Sequence, residues 1–202
     1  MDPNKFFSSE EANVLIETVK REATRAMSLN HKVAVRDYFA IDLVLSTGLR
    51  VMEISKLDCG DIFLTDVASL LIVRKGKGGK RRQVIFSSAF KEHCIQYLSW
   101  KQSIGESTEP GQPLILSSNT GKHMTTRAIQ KIFKRWAQKA GLSPRYSIHS
   151  ARHSYACFLL KASKWNIRLV QKQLGHSKIE TTQVYADVML PDTKNAIERM
   201  YS

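Results

Sequence analysis

A mostly helical α+β domain carrying one small antiparallel sheet is the fold class that this sequence predicts. Three observations carry the prediction. Apolar residues recur at helical spacing along most of the chain, most clearly at Ile129, Ile132, Phe133, Trp136, Ala137 and Ala140. A single stretch, between Ile62 and Phe86, is β-rich, with two apolar runs around a Gly/Lys turn, which is the pattern of a hairpin. With 202 residues and 43% apolar content, the chain is long enough to bury a core without disulfides or metal.

Ser8 and Glu11 have capping-box spacing ahead of "ANVLIETVKREATRAM", where Val14, Leu15 and Val19 suggest an amphipathic helix. "VAVRDYFAIDLVLSTG" is apolar almost all round and reads as a core helix that Gly48 interrupts, with a short helix resuming in "LRVMEISKL". The hairpin "SLLIVRKGKGGKRRQVIF" comes next. "FKEHCIQYLSW" restores the helical pattern, and "STEPGQP" marks an exposed loop. A helix then runs from Thr125 to Gly141, a residue placed to end it. Further helices are predicted in "HSARHSYACFLLKA", "IRLVQKQLG" and "KIETTQVYADVM", with a short one in "TKNAIERM". There is no internal repeat and no low-complexity segment.

Composition narrows the function. Thirty-one Lys and Arg against 18 Asp and Glu give a net charge of +13, and the pI is about 9.8. Such a balance fits a polyanion, nucleic acid first and an anionic membrane surface second. Cys59, Cys94 and Cys157 are odd in number, far apart and without CxxC spacing, which points to a reducing compartment and away from zinc or a disulfide framework. No secretory h-region and no run of about 18 apolar residues is present, so neither secretion nor membrane spanning is expected.

Four separated pieces hold polar residues that composition does not require. Arg50 and Glu53 share one face of a helical turn, and by themselves could be a surface ion pair. The tip "RKGKGGKRR" lacks the GxxxxGK[ST] string of a phosphate loop. It suits contact with a nucleic-acid backbone, although a solvated loop would look the same. His149 and Arg152 are three apart on a first helical turn, where the helix terminus also favours an anion, while the adjacent His153 faces elsewhere. In "LGHSKIETTQVYADV", Gly175 ends a helix, His176 follows, and Tyr185 lies about two turns into the next helix, where it could equally be a half-buried surface tyrosine.

In this order, "TGLRVMEISKL", "GKGGKRR", "HSARHSYA" and "LGHSKIETTQVY" closely resemble the tyrosine recombinase (phage integrase) family, its Xer-type branch most, over about residues 5 to 190. The resemblance implies a helical bundle with a small three-stranded antiparallel sheet. It implies site-specific cleavage and rejoining of DNA strands through a 3′-phosphotyrosyl intermediate, with no cofactor and no metal. Residues 1–202 would then form a single catalytic domain, with 191–202 as a C-terminal tail helix and without the N-terminal DNA-clamping domain that family members commonly carry.

The resemblance also assigns roles. Attack on a phosphodiester concentrates charge on non-bridging oxygens, so positioned cations are needed. Arg50 and Arg152 fill that clamp, because a planar fork binds two phosphate oxygens and keeps its charge. Lys77 takes the place of the general acid for the 5′-oxygen, with Lys75 and Lys80 as the nearest competitors. His149 corresponds to the proton-transfer histidine, His176 to a hydrogen-bond donor to the phosphate, Tyr185 to the nucleophile, and Glu53 to a supporting acid. Phosphate contacts are expected from Lys75, Lys80, Arg81 and Arg82 in the hairpin and from Arg127, Lys131, Lys134 and Arg135 on one helix. Ala151 departs from the Leu usual in "HxLRH". The partners implied are double-stranded DNA and three further copies of the chain in a tetramer joined by tail contacts, with no membrane, in the cytoplasm. Two alternatives share some of these features: a type IB topoisomerase, and a non-catalytic DNA-binding regulator derived from a recombinase.

Overall fold

The computed structural model describes residues 6–29, 31–65, 69–74 and 81–175. Seven α-helices, three strands and a 3-10 turn at Cys59–Asp61 lie within them: α1 Ser9–Ser28, α2 Lys32–Thr47, α3 Val51–Ile54, β1 Ile62–Leu64, β2 Ser69–Val73, β3 Arg82–Ile85, α4 Ser88–Ser103, α5 Thr126–Lys139, α6 Ile148–Ala162 and α7 Ile167–Leu174. The expected fold class is found, and the helices expected beyond residue 175 lie outside the described residues.

Local chemistry sets the ends. Ser8 caps α1 as a capping box, its hydroxyl accepting the Glu11 N–H and the Glu11 carboxylate accepting the Ser8 N–H. Gly141, at φ 71°, follows the last turn of α5 and takes the left-handed conformation that a side chain would strain. The first helix differs in one respect from its sequence reading. Leu15 and Val19 are buried but Val14 is 48% exposed. The stripe instead continues through Ala23 and Ala26, because i, i+4, i+8 and i+11 stay on one face while Val14 sits about 100° off it.

Helix α2 is the hub, packing against α1, α4, α5 and α6. Val35, Phe39, Ala40, Ile41, Leu43 and Val44 are all buried, so apolar residues on nearly every face find a partner. Full burial of each large side chain contributes roughly 1.5–3 kcal/mol. Phe39 stacks on Tyr97 with ring centroids 3.8 Å apart. Buried charge in this core is paired: Arg36 and Lys101 both meet Glu106, the latter at 2.9 Å. A smaller apolar cluster of Ala156, Cys157, Leu160, Val170 and Leu174 joins α6 to α7.

The sheet has the order β1-β2-β3 and is antiparallel throughout, with Ile62 opposite Leu71 and Leu71 opposite Val84. The β2–β3 ladder runs from Leu70 opposite Ile85 to Val73 opposite Arg82, which fixes the register of the two strands.

Candidate active site

The site begins where α2 stops. Gly48 adopts φ 62°, and a Cβ there would lie 2.3 Å from Cδ1 of Tyr155, so the left-handed turn and the close ring both require glycine. Arg50 follows in extended conformation as the N-cap of α3, and Glu53 is the third residue of that helix. Glu53 Oε2 accepts the Arg50 backbone N–H at 2.8 Å, and Oε1 accepts from Arg50 Nη1 at 3.1 Å. The two residues are therefore paired, but across a cap rather than along a helix face.

Arg152 arrives from the other half of the chain. Ser147 caps α6, and Ser150 Oγ accepts its N–H at 3.0 Å. His149 is exposed on the first turn, while Arg152, a turn further on, is only 5% exposed. Its Nη1 donates to the Gly48 carbonyl at 2.5 Å and its Nη2 to the Leu174 carbonyl at 2.9 Å. Both acceptors sit at the C-terminal ends of helices, α2 and α7, where the macrodipole is negative. Two helix ends thus hold one guanidinium in a fixed plane.

Arg82, the first residue of β3, completes the cluster. Its fork donates to both oxygens of Glu53, Nη1 to Oε1 at 2.7 Å and Nη2 to Oε2 at 2.9 Å. Burial pushes the Glu53 carboxyl up, but the hydrogen bonds and charge of Arg82, the Arg50 N–H and the nearby Arg152 charge outweigh it and hold the group below the ordinary range. At the other foot of the hairpin, Arg74 donates to Asp58 and, at 2.8 Å, to Asp61. His123 meets Asp58 at 2.7 Å. Arg74 and Arg82, on the strands either side of 75–80 in the sequence, therefore both turn inward onto carboxylates.

Arg50 and Glu53, from α3 and its cap, come together with Arg152 of α6, and His149 stands at the start of the helix that carries Arg152. Lys75, Lys77, Lys80, His176 and Tyr185 lie outside the described residues. Arg81 is exposed, as are Arg127 and Lys131 on α5. Three residues expected to meet phosphate also have partners within the protein. Arg82 is committed to Glu53 because its strand position faces α3 and α7. Lys134 Nζ donates to the Pro144 carbonyl at 2.5 Å, and Arg135 pairs with the buried Asp37, which also accepts from Trp136 Nε1 at 2.7 Å. Burial raises the Asp37 carboxyl despite both partners. Sequence reading missed Arg74, and it missed Gln173, whose side-chain amide pairs with the backbone of Ile85. Their partners are 13 to 88 residues away, so no local spacing could have found them. Among the described residues, no group of three or more His, Cys, Asp or Glu could hold a metal ion, and no helix is long and apolar enough to cross a membrane.

Known proteins share this frame. The model of the phage integrase family matches residues 5–190. The tyrosine recombinase XerC of Vibrio campbellii is 36% identical over 153 residues, 76% of this chain and 47% of that protein. The XerC of Neisseria meningitidis serogroup B is 40% identical over 153 residues, 76% of this chain and 48% of the relative. This chain thus spans about half the length of the curated relatives it matches. The crystal structure of XerA recombinase superposes with a TM-score of 0.73 at 26% identity, covering 94% of this chain and 62% of the other. That of XerH recombinase bound to its difH substrate gives 0.77 at 22% identity, over 98% and 54%, a likeness of fold. With the family model spanning nearly the whole chain and relatives above 30% identity, this chain belongs to the phage integrase family.

Proposed function

We propose that the chain is the catalytic unit of a site-specific DNA recombinase, a DNA-associated cytoplasmic enzyme that cleaves and rejoins strands through Tyr185. The Tyr185 oxygen attacks the phosphorus, the bond to the 5′-oxygen breaks, and a 3′-phosphotyrosyl link forms. His149 takes the phenol proton and Lys77 supplies one to the departing 5′-oxygen. Arg50, Arg152 and His176 hold the non-bridging oxygens as their charge grows. The reverse attack by another strand's 5′-hydroxyl rejoins the DNA, so bond energy is conserved in the covalent link. The observation that carries this reading is the convergence of Arg50, Arg82 and Arg152, from three elements distant in sequence, around Glu53.

Tyr185→Phe tests it, since the change removes one oxygen and leaves every cation in place. On a pool of short nicked duplexes with a randomised core, the wild-type chain should accumulate a protease-sensitive 3′-linked adduct. The variant should form none while binding DNA within a few-fold. An adduct from Tyr185→Phe would end the assignment; Tyr155→Phe and Tyr201→Phe, as controls, should still trap DNA.

The assembly we propose is a homotetramer on DNA, with residues 191–202 docking on a neighbouring protomer and coupling its active site. Deleting those residues should abolish cooperative assembly in sedimentation of the DNA complex. Intact cooperativity would refute the coupling.

A further inference from the structure

We propose that Arg82 is a positioning residue of the active site rather than a DNA contact: it holds Glu53 against Arg50 and locks strand β3 onto the end of α7. Its side chain is 12% exposed, and all three kinds of guanidinium nitrogen are engaged. Nη1 and Nη2 grip the two Glu53 oxygens, and Nε donates to the Gln173 carbonyl at 3.3 Å. Gly175, at φ 67°, lies so close that a Cβ there would be 2.6 Å from Arg82 Cδ. The neighbouring Gln173 amide donates to the Ile85 carbonyl at 2.5 Å and accepts the Ile85 N–H at 3.3 Å, extending the edge of β3 as another strand would.

One side chain therefore touches the three pieces that must keep register. Glu53 in turn holds Arg50, and the end of α7 supplies the Leu174 carbonyl that holds Arg152. A fork suits this because a carboxylate presents two oxygens side by side, whereas an ammonium is a point charge that cannot match that geometry. The geometry stands by itself, while its catalytic consequence rests on the strand-transfer activity proposed above.

The test uses the whole chain and the variants Arg82→Lys and Arg82→Gln, with Lys as the variant that keeps the charge should Gln fail to fold. Removing an outer partner of a catalytic group typically costs 10–100-fold, so adduct formation at saturating nicked duplex should slow by about that factor in Arg82→Lys. Its effect should largely vanish in a Glu53→Gln background, because the two residues act as one unit. The salt dependence of binding to a duplex of arbitrary sequence should not change. The Glu53 carboxyl, followed by carbon NMR, should titrate higher in either variant. Wild-type rates in Arg82→Lys, full additivity with Glu53→Gln, or a salt slope shallower by about 1, the signature of a lost phosphate contact, would each overturn the proposal. If the wild-type chain itself forms no adduct, the strand-transfer reading falls. The Glu53 titration then decides the positioning alone: an upward shift supports it, and an unmoved one overturns it.

Discussion

Two charge clusters stand at the feet of the same hairpin, and they are built in opposite ways. At the β2 foot one arginine, Arg74, sits between two carboxylates, Asp58 and Asp61, with its side chain 52% exposed. At the β3 foot one carboxylate, Glu53, sits among Arg50, Arg82 and Arg152, and it is 5% exposed. Carbonyl oxygens of Gly48, Gln173 and Leu174 take further donors there, and dipoles offset a cation only in part. The first arrangement fastens a strand end. The second holds rigid positive charge in a poorly solvated place, which is where an anion gains most from it. Fastening a strand end and concentrating positive charge thus ask for different ratios of the same side chains.

The largest expected effect comes from taking a guanidinium out of the second cluster. Arg152→Ala should lower the rate of adduct formation by about 10²–10³-fold, the cost of losing one preorganised donor to the developing oxyanion. A rate within a few-fold of wild type, measured well below the melting temperature, would show that the cluster serves folding alone.

Stability should divide the two feet next. Glu53→Gln breaks buried pairs and leaves guanidiniums without their counter-charge, which costs roughly 3 kcal/mol or more. Arg74→Gln removes a half-exposed guanidinium and leaves the buried Asp58 and Asp61 with other partners, the His123 ring and the Asp58 N–H, so it should cost less than Glu53→Gln. Urea unfolding checks both, and equal losses would erase the contrast. The deficits should also differ with pH. Because the Glu53 carboxyl lies below its ordinary 4.5 when folded, its stabilisation is complete above that value and fades as pH falls through the folded value. The deficit of Glu53→Gln should therefore shrink on acidification.

The smallest effect concerns the face of α5. Lys131→Ala should shallow the slope of log affinity against log salt by about 1, while leaving the adduct rate at saturating DNA unchanged. An unchanged slope would take α5 out of the DNA interface.

Much of this was legible in the chain. The helical stripe of α5, the core character of α2 and the hairpin follow from periodicity, which any core must obey, and those elements stand where the pattern puts them. The pairing of Arg50 with Glu53 was also readable, because it spans only three residues. Val14 shows the limit of such reading: a helix that packs along a single stripe buries one of two adjacent apolar residues, and which one depends on the partner helix.

The sequence by itself determined the elements, the cationic balance and the residue types a phosphate attack requires, since these rest on local spacing and composition. Only the tertiary structure decided which cations are turned inward. Nothing in "KGGKRRQV" distinguishes Arg81, which is exposed, from Arg82, which grips Glu53. The alternation of a strand sends neighbouring side chains to opposite faces, and the face that meets a carboxylate is set by α3 and α7, which lie 29 and 91 residues away along the chain.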